Sequence, residues 1–244
     1  MKKYETLVIG SSFASVGFAL GGSDVLIAEQ TEMLDTSFYL PMINFDYKEY
    51  EPKTELGREL LGIFESYGMI SGGKINVNAL EIALARFVDR HRANVYLKCR
   101  VVESRKTERG YTVTLLHNGG LEQIEVSRII DARPDNKGER RLTVLFDTEG
   151  DAVAESLNRV FPNAVQTVAF YSGRYAAYIP CPCDDINDAK VDIYRKWEAT
   201  TGLRILYIAP AFHYTEAIYP LSVGAENPIE ALENGMLYAK EGRI

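Results

Sequence analysis

Gly10, Ser12 and Ser15 lie at the spacing G-x-S-x-x-S, and an acid, Glu29, follows about twenty residues after the glycine. Small residues at this spacing let a backbone turn approach a diphosphate, and a helix opening at the turn aims its N–H groups and partial positive charge at that anion. An acid at the end of the next strand is placed to accept hydrogen bonds from ribose hydroxyls. The segment Gly10, Ser11, Ser12, Phe13, Ala14, Ser15, together with Glu29 and its neighbour Gln30, is therefore the first candidate binding site. Only the first glycine of the usual G-x-G-x-x-G is present, and the Ser12 side chain is expected to crowd the diphosphate position.

These residues need a frame. Residues 6–9 and 25–28 are short apolar runs, and 16–20 continue the turn as a helix, which is the order of a β-α-β dinucleotide unit. Residues 31–50 read as an irregular excursion. Apolar spacing predicts helices over 53–67 and, after a Gly72-Gly73 turn, over 78–91, with Asn78 as N-cap and Glu81 completing a capping box. Strands follow at 95–102, 111–116 and 121–130, the last two joined by a hairpin at 118–120. From 140 the pattern changes to a strand (142–146), a helix (152–161), two strands around Ser172-Gly173, a helix over 187–199 capped by Gly202, and a buried strand at 204–209. A last helix opens at Asn227-Pro228 with Asn as cap, Pro in the first turn and Glu230 completing a box.

At 244 residues, 46% hydrophobic and 25% charged, the chain is long enough for a sizeable core and ordinary for a globular protein. A net charge of −7 with scattered Lys and Arg gives no footprint for nucleic acid. No apolar run approaches the roughly 20 residues that span a bilayer, so no membrane partner is expected. Three cysteines and no signal-peptide pattern point to a reducing, cytoplasmic setting.

With these elements in place, the chain resembles the glutathione-reductase-like FAD/NAD(P)-binding superfamily of FAD-dependent oxidoreductases. The resemblance rests on the N-terminal unit, on residues 78–135, and on the last forty residues. It places Val101, in Cys99-Arg-Val-Val102, against an adenine, and matches Ile129-Ile-Asp-Ala132 to the segment returning the chain to the flavin domain. It also assigns the start of the last helix (Asn227, Pro228, Ile229) to the flavin N1/O2 edge. Three departures stand out: Arg133-Pro134 where the family has Thr-Gly after Ala132, Pro210-Ala211 where it has the Gly-Asp that holds the ribityl chain, and residues 31–35 in place of glycine-rich contacts. The implied architecture is α/β, a Rossmann-type FAD/NAD(P)-binding domain of three-layer ββα character (residues 1–135 plus 200–244) with a small inserted α+β substrate or cap domain (136–199).

Among single residues, Arg133 could reach a phosphate or an acidic substrate. His213, with Tyr214 and Glu216 nearby, falls where the family places residues near the flavin ring, and could act as acid/base or pack on Tyr219 in a loop. Cys181-Pro-Cys183 has neither redox nor zinc spacing and reads as two buried or edge thiols. The aromatic run Phe170, Tyr171, Tyr175 and Tyr178 would line the smaller domain. His91 and His117 read as surface residues, and the three histidines share no metal-ligand spacing. The resemblance implies FAD as cofactor, NAD(P) as a further possibility, and hydride transfer between the flavin and a small-molecule substrate. A non-catalytic binding or regulatory relative, and an NAD or adenine-nucleotide binder, are the alternatives.

Overall fold

The computed structural model describes residues 1–35, 49–146, 151–168, 175–201, 204–217, 220–221, 225 and 227–242. Its centre is β1 (Lys2–Ile9), whose Thr6, Leu7 and Val8 are fully buried, as befits a parallel strand covered on both faces. A helix α1 (Phe13–Gly21) leads to β2 (Val25–Ala28), which lies parallel to β1 with Thr6 opposite Val25 and Ile9 opposite Ala28. The chain then forms α2 (Glu55–Ser66), a two-stranded hairpin β3 (Ile70–Ser71) and β4 (Lys74–Ile75) around Gly72-Gly73, and α3 (Val77–His91) before β5 (Asn94–Tyr96) joins β2 in parallel. An antiparallel meander follows, β6 (Arg100–Thr107), β7 (Gly110–His117) and β8 (Gly120–Asp131). The long β8 serves two neighbours: its first half pairs with β7, and residues from Ile124 to Asp131 run parallel to β1 on the side away from β2. The strand order is β5-β2-β1-β8-β7-β6.

Helices α1, α2, α3 and α6 (Pro228–Glu241) cover one face, burying Phe13, Phe18, Leu60, Phe64, Leu84, Phe87, Ile229 and Leu232 in one cluster. On the other face Leu7, Leu26 and Ala28 meet Val113, Leu115, Ile124 and Val126 of the meander. The expected α/β architecture with three layers is therefore present.

A second, antiparallel sheet holds β9 (Arg140–Phe146), β10 (Val165–Val168), β11 (Tyr175–Pro180), β12 (Ile205–Ile208) and the short β13 (His213–Tyr214), in the order β10-β11-β9-β12 with β13 also on β9. α4 (Asp151–Val160) and α5 (Ile186–Thr201) lie against it, and Trp197, fully buried between Phe146 and Phe161, fills the middle.

Several sequence expectations need correction. The strand expected at 95–102 is two strands, because Val95 lies in β5, parallel to β2, and Val101 lies opposite Leu115 in an antiparallel pair; one straight strand cannot do both. The bend is held by Lys98 N–H on Thr31 O (2.7 Å) and Cys99 N–H on Glu29 O (2.8 Å), with Lys98 at φ 50°. The cap of α3 is Asn76, whose side chain accepts from Asn78 N–H, so Asn78 lies inside the helix. Residues 204–209, expected as a buried strand of the first domain, pair with β9 as β12, and Tyr207 is 43% exposed. The reason is pairing: the alternation in 204–209 suits either sheet, and its hydrogen bonds go to β9. His91 and His117 are half-buried, bonded to Glu59 and Glu122. The Ser172-Gly173 turn, Phe170, Tyr171, Gly202, Tyr219 and most of the 31–50 excursion lie outside the described residues.

Two contacts lock the last helix into the first unit. α1 and α6 touch backbone to backbone: a Cβ added at Gly17 would sit 1.8 Å from Leu232 O, and one at Gly235 would sit 1.9 Å from Ala14 O. On the other side of α6, the buried Glu233 carboxylate accepts from Tyr50 Oη (2.6 Å), Thr54 N–H (2.6 Å), Thr54 Oγ1 (2.7 Å) and Lys53 N–H (3.1 Å), at the N-terminus of α2. Burial alone would raise its pKa, but these donors outweigh burial and hold it below the usual carboxylate value. Gly17→Ala is therefore expected to lower unfolding stability by about 1–3 kcal/mol or more in urea melts, since a packed backbone must separate. Because the folded pKa of Glu233 is depressed, its contribution is complete above the unfolded value of about 4.3 and is lost as pH falls through the lower folded value. Glu233→Gln should accordingly flatten the acid limb of the stability–pH curve as well as lower the plateau.

Candidate functional site

Strand β1 ends at Ile9, and Gly10 turns the chain with φ 94°, a conformation that side-chain-bearing residues rarely adopt. Ser12 then caps α1, its Oγ accepting from Ser15 N–H at 3.1 Å. The Ser12 hydroxyl is thus committed to the first helical turn. Ser11, one residue earlier, is tied to the end of β2: both its N–H and its Oγ donate to Glu29 Oε2 at 2.8 Å, while Thr31 N–H donates to Oε1 at 2.8 Å. A carboxylate offers about four acceptor positions. Three are filled by these donors, which leaves room on Oε1 for one more.

The carboxyl ends of β1, β2 and β8 converge on a cavity of about 1130 Å³, at or above the upper end of the roughly 300–1,000 Å³ usual for small-molecule sites. It sits where the chain reverses its direction of travel through the sheet, from β1 towards β2 and β5 on one side and to β8 on the other, the crevice that open α/β sheets use for ligands. Gly10, Ser11, Ser12, Glu29, Gln30, Val101, Ala132 and Arg133, all candidates from the sequence, line it. Ala211, His213 and Tyr214 close it from the second unit.

The remaining candidates are placed elsewhere. Phe13, Ala14 and Ser15 are buried in the helical layer, where Phe13 meets Phe64 edge-on at 6.2 Å and Ala14 meets Gly235. Asn227 caps α6 by accepting from Ile229 N–H at 2.8 Å, and Pro228 and Ile229 follow it into the core; none of the three borders the cavity. Pro210 is exposed beside Ala211. The Glu216 backbone bonds to Lys137 O outside the cavity lining. Cys181 and Cys183 are free thiols, with burial pushing the Cys181 thiol up to about 11. Among the described residues no cluster of His, Cys, Asp or Glu could hold a metal ion.

Charge at the rim is concentrated in acids. Asp131, in register with Ile9, holds Arg133 through Nε–H to Oδ1 at 2.8 Å and a second contact from Nη2 to Oδ2. The Arg133 side chain keeps Asp131 below the usual carboxylate range. Its stem crosses over Gly10, 3.0 Å from where a Cβ would be. His213 stands edge-on to Tyr178 at 4.7 Å with its buried Nδ1 lacking a partner. Burial, then the nearby Arg141, pull its pKa down to about 4, so the ring is neutral near pH 7.

Two acids were not singled out by spacing. Asp131 closes the sheet rim, and Asp35, in the segment after Glu29, is almost wholly buried beside Ser11. Asp131 lies inside the Ile129-Ile-Asp-Ala132 match, which gave it no role of its own, and Asp35 belongs to no motif; its one signal is that an acid follows the apolar Met33-Leu34 pair.

No family model matches the chain, and no curated protein sequence matches it. Solved structures do. A flavoprotein/dehydrogenase from Cytophaga hutchinsonii superposes with a TM-score of 0.53 at 15% identity, over 99% of this chain and 78% of that one. p-Nitrophenol 4-monooxygenase from Pseudomonas putida DLL-E4 gives 0.57 at 12% identity, over 98% and 78%. A flavin-dependent monooxygenase solved in complex with FAD and substrate gives 0.50 at 14%, over 90% and 51%. At these identities the likeness is one of fold, and the chain has the Rossmann-type fold of these flavoproteins.

Proposed function

We propose that the chain binds FAD at the carboxyl ends of β1, β2 and β8, in the manner of the glutathione-reductase-like branch, and acts as an oxidoreductase on a small molecule admitted between that rim and β13. The observation that carries this reading is the cavity at the sheet's switch point, with a positive-φ glycine and the Glu29 carboxylate among the residues that line it. The residues fit the group. Gly10 brings no side chain of its own beneath the Arg133 stem, the first turn of α1 would supply the helix N-terminus, Oε1 of Glu29 has an acceptor position for a hydroxyl, and Val101 offers an apolar wall for an adenine. Arg133 is placed as the countercharge for a diphosphate once it shares its guanidinium with Asp131.

Bound flavin would supply hydride exchange with the substrate. The protein's part is positional. Phe212, His213 and Tyr214 narrow the cavity from the second unit, and the neutral His213 ring offers a hydrogen bond rather than a charge to whatever lies there. A non-catalytic relative is the second reading. It is favoured by one observation: Pro210-Ala211 lie between β12 and β13 and bring no carboxylate to the rim.

An absorbance spectrum of purified protein, repeated after incubation with FAD and desalting, separates the two. Retained bands at about 370 and about 450 nm are expected for a flavoprotein, and a colourless protein after reconstitution would sink that reading. Within it, Glu29→Gln keeps the shape but loses an acceptor, so FAD should bind more weakly by about 1–3 kcal/mol in a fluorescence titration. An unchanged dissociation constant would remove Glu29 from the ribose site.

A further inference from the structure

Ser11 and Glu29 both line the cavity, and the hydrogen bonds between them limit what the carboxylate can offer a ligand. A carboxylate oxygen has two acceptor positions. Both positions on Oε2 are taken by one residue, Ser11, whose N–H and Oγ–H each donate at 2.8 Å. On Oε1 one position takes Thr31 N–H, also at 2.8 Å, and the other is the acceptor left for a ligand.

The Ser11 hydroxyl is held in that role from both sides. Its one hydrogen is spent on Oε2, and its oxygen lies 3.2 Å from Asp35 N–H, which donates to Ser11 O at 2.9 Å as well. The side chain is buried, so water does not compete freely for it. The strand end that carries the carboxylate is fixed too: Glu29 N–H donates to Tyr96 O at 2.8 Å, and Glu29 O accepts from Cys99 N–H at 2.8 Å. Turning the carboxylate to present its other edge would break three hydrogen bonds at once. A ribose carries two neighbouring hydroxyls, and each needs an acceptor position of its own.

We infer that Ser11 makes Glu29 a reader of one ribose hydroxyl rather than two. Ser11 is a positioning residue: it acts through Glu29, by filling the acceptor position that the second hydroxyl would use. This rests on the proposed FAD reading and sharpens its specificity. One ribose hydroxyl goes unread by the carboxylate, so the ligands of this site extend to adenosine diphosphate compounds in which that hydroxyl is missing.

The test is the dissociation constant, from fluorescence titration, of FAD and of its two analogues lacking the adenosine 2′- or 3′-hydroxyl, for the wild-type chain and for Ser11→Ala. In the wild type, removing the hydroxyl that meets Oε1 forfeits a hydrogen bond to a carboxylate and should weaken binding by roughly tenfold or more, while removing the other should leave it within about twofold. In Ser11→Ala the vacated position on Oε2 takes the second hydroxyl, so both analogues should bind roughly tenfold more weakly than FAD. The readout is a ratio between ligands of one protein, which a general loss of stability or affinity in the variant does not imitate. Equal binding of all three ligands by the wild type, or an equal loss with both analogues, would overturn the inference while leaving the FAD reading standing. A folded Ser11→Ala that still reads a single hydroxyl would overturn the role given to Ser11. Failure of the wild type to bind FAD would overturn the inference together with the FAD reading. The wild-type series needs no variant, so a misfolded Ser11→Ala would not rescue the idea.

Discussion

Strand β1 has a neighbour on each side, and the two neighbours are reached by opposite routes: β2 through the short helix α1, and β8 only after the whole meander. Parallel pairing demands such crossovers, since parallel strands cannot be joined by a tight turn. Both pairings end at the same level, with Ile9 opposite Ala28 and opposite Asp131, so the chain must leave the sheet at the same edge in three places. Gly10, Glu29 and Ala132 are the residues at which it leaves. The cavity is the gap those three departures create, and its composition follows from what each exit needs.

The exits are tied to one another before any ligand is considered. Glu29 draws Ser11 and Thr31 onto one carboxylate, and Asp131 holds Arg133 down across Gly10. Acids here organise backbone donors, in the way a bound anion would at a helix N-terminus. The second unit contributes from above through a single strand edge. Because β9 carries β12 and β13 in succession on one side, the link between them brings Ala211, Phe212 and His213 over the rim. The face of β11 that bears Tyr178 supports His213 from behind, while Tyr175 and Ile179 turn to the helices.

Local pattern made most of the first unit readable. Apolar runs at 6–9 and 25–28, the helical stripe ending at Val88, and the Asn118-Gly119 turn depend on neighbours close in sequence, and each element lies within a few residues of its expected place. The candidate site was legible to the same extent: Gly10, Ser11, Ser12, Glu29, Val101, Ala132 and Arg133 lie around one cavity. What pattern could not supply was pairing. Nothing in residues 204–209 distinguishes a strand of the first sheet from one beside β9, because both positions ask for the same alternation of side chains. Asn227, Pro228 and Ile229 were recognisable as a helix start but not as a buried one, since burial there follows from packing against Gly17, in a helix over two hundred residues away. Asp35 was invisible for a related reason: an acid that ends up buried looks, in sequence, like any acid in a polar loop.

The backbone contact between α1 and α6 also orders events in time. α1 leaves the ribosome long before α6, and its face at Gly17 is covered by residues 228–241. Until then Phe18 and Val16 lack part of the layer that covers them in the folded state, so an early-formed β-α-β unit carries an unfinished apolar surface throughout the synthesis of the second unit. Such wide separation of contacting residues slows the final docking. The second unit, whose sheet and helices all come from one continuous stretch, is free to assemble during that wait.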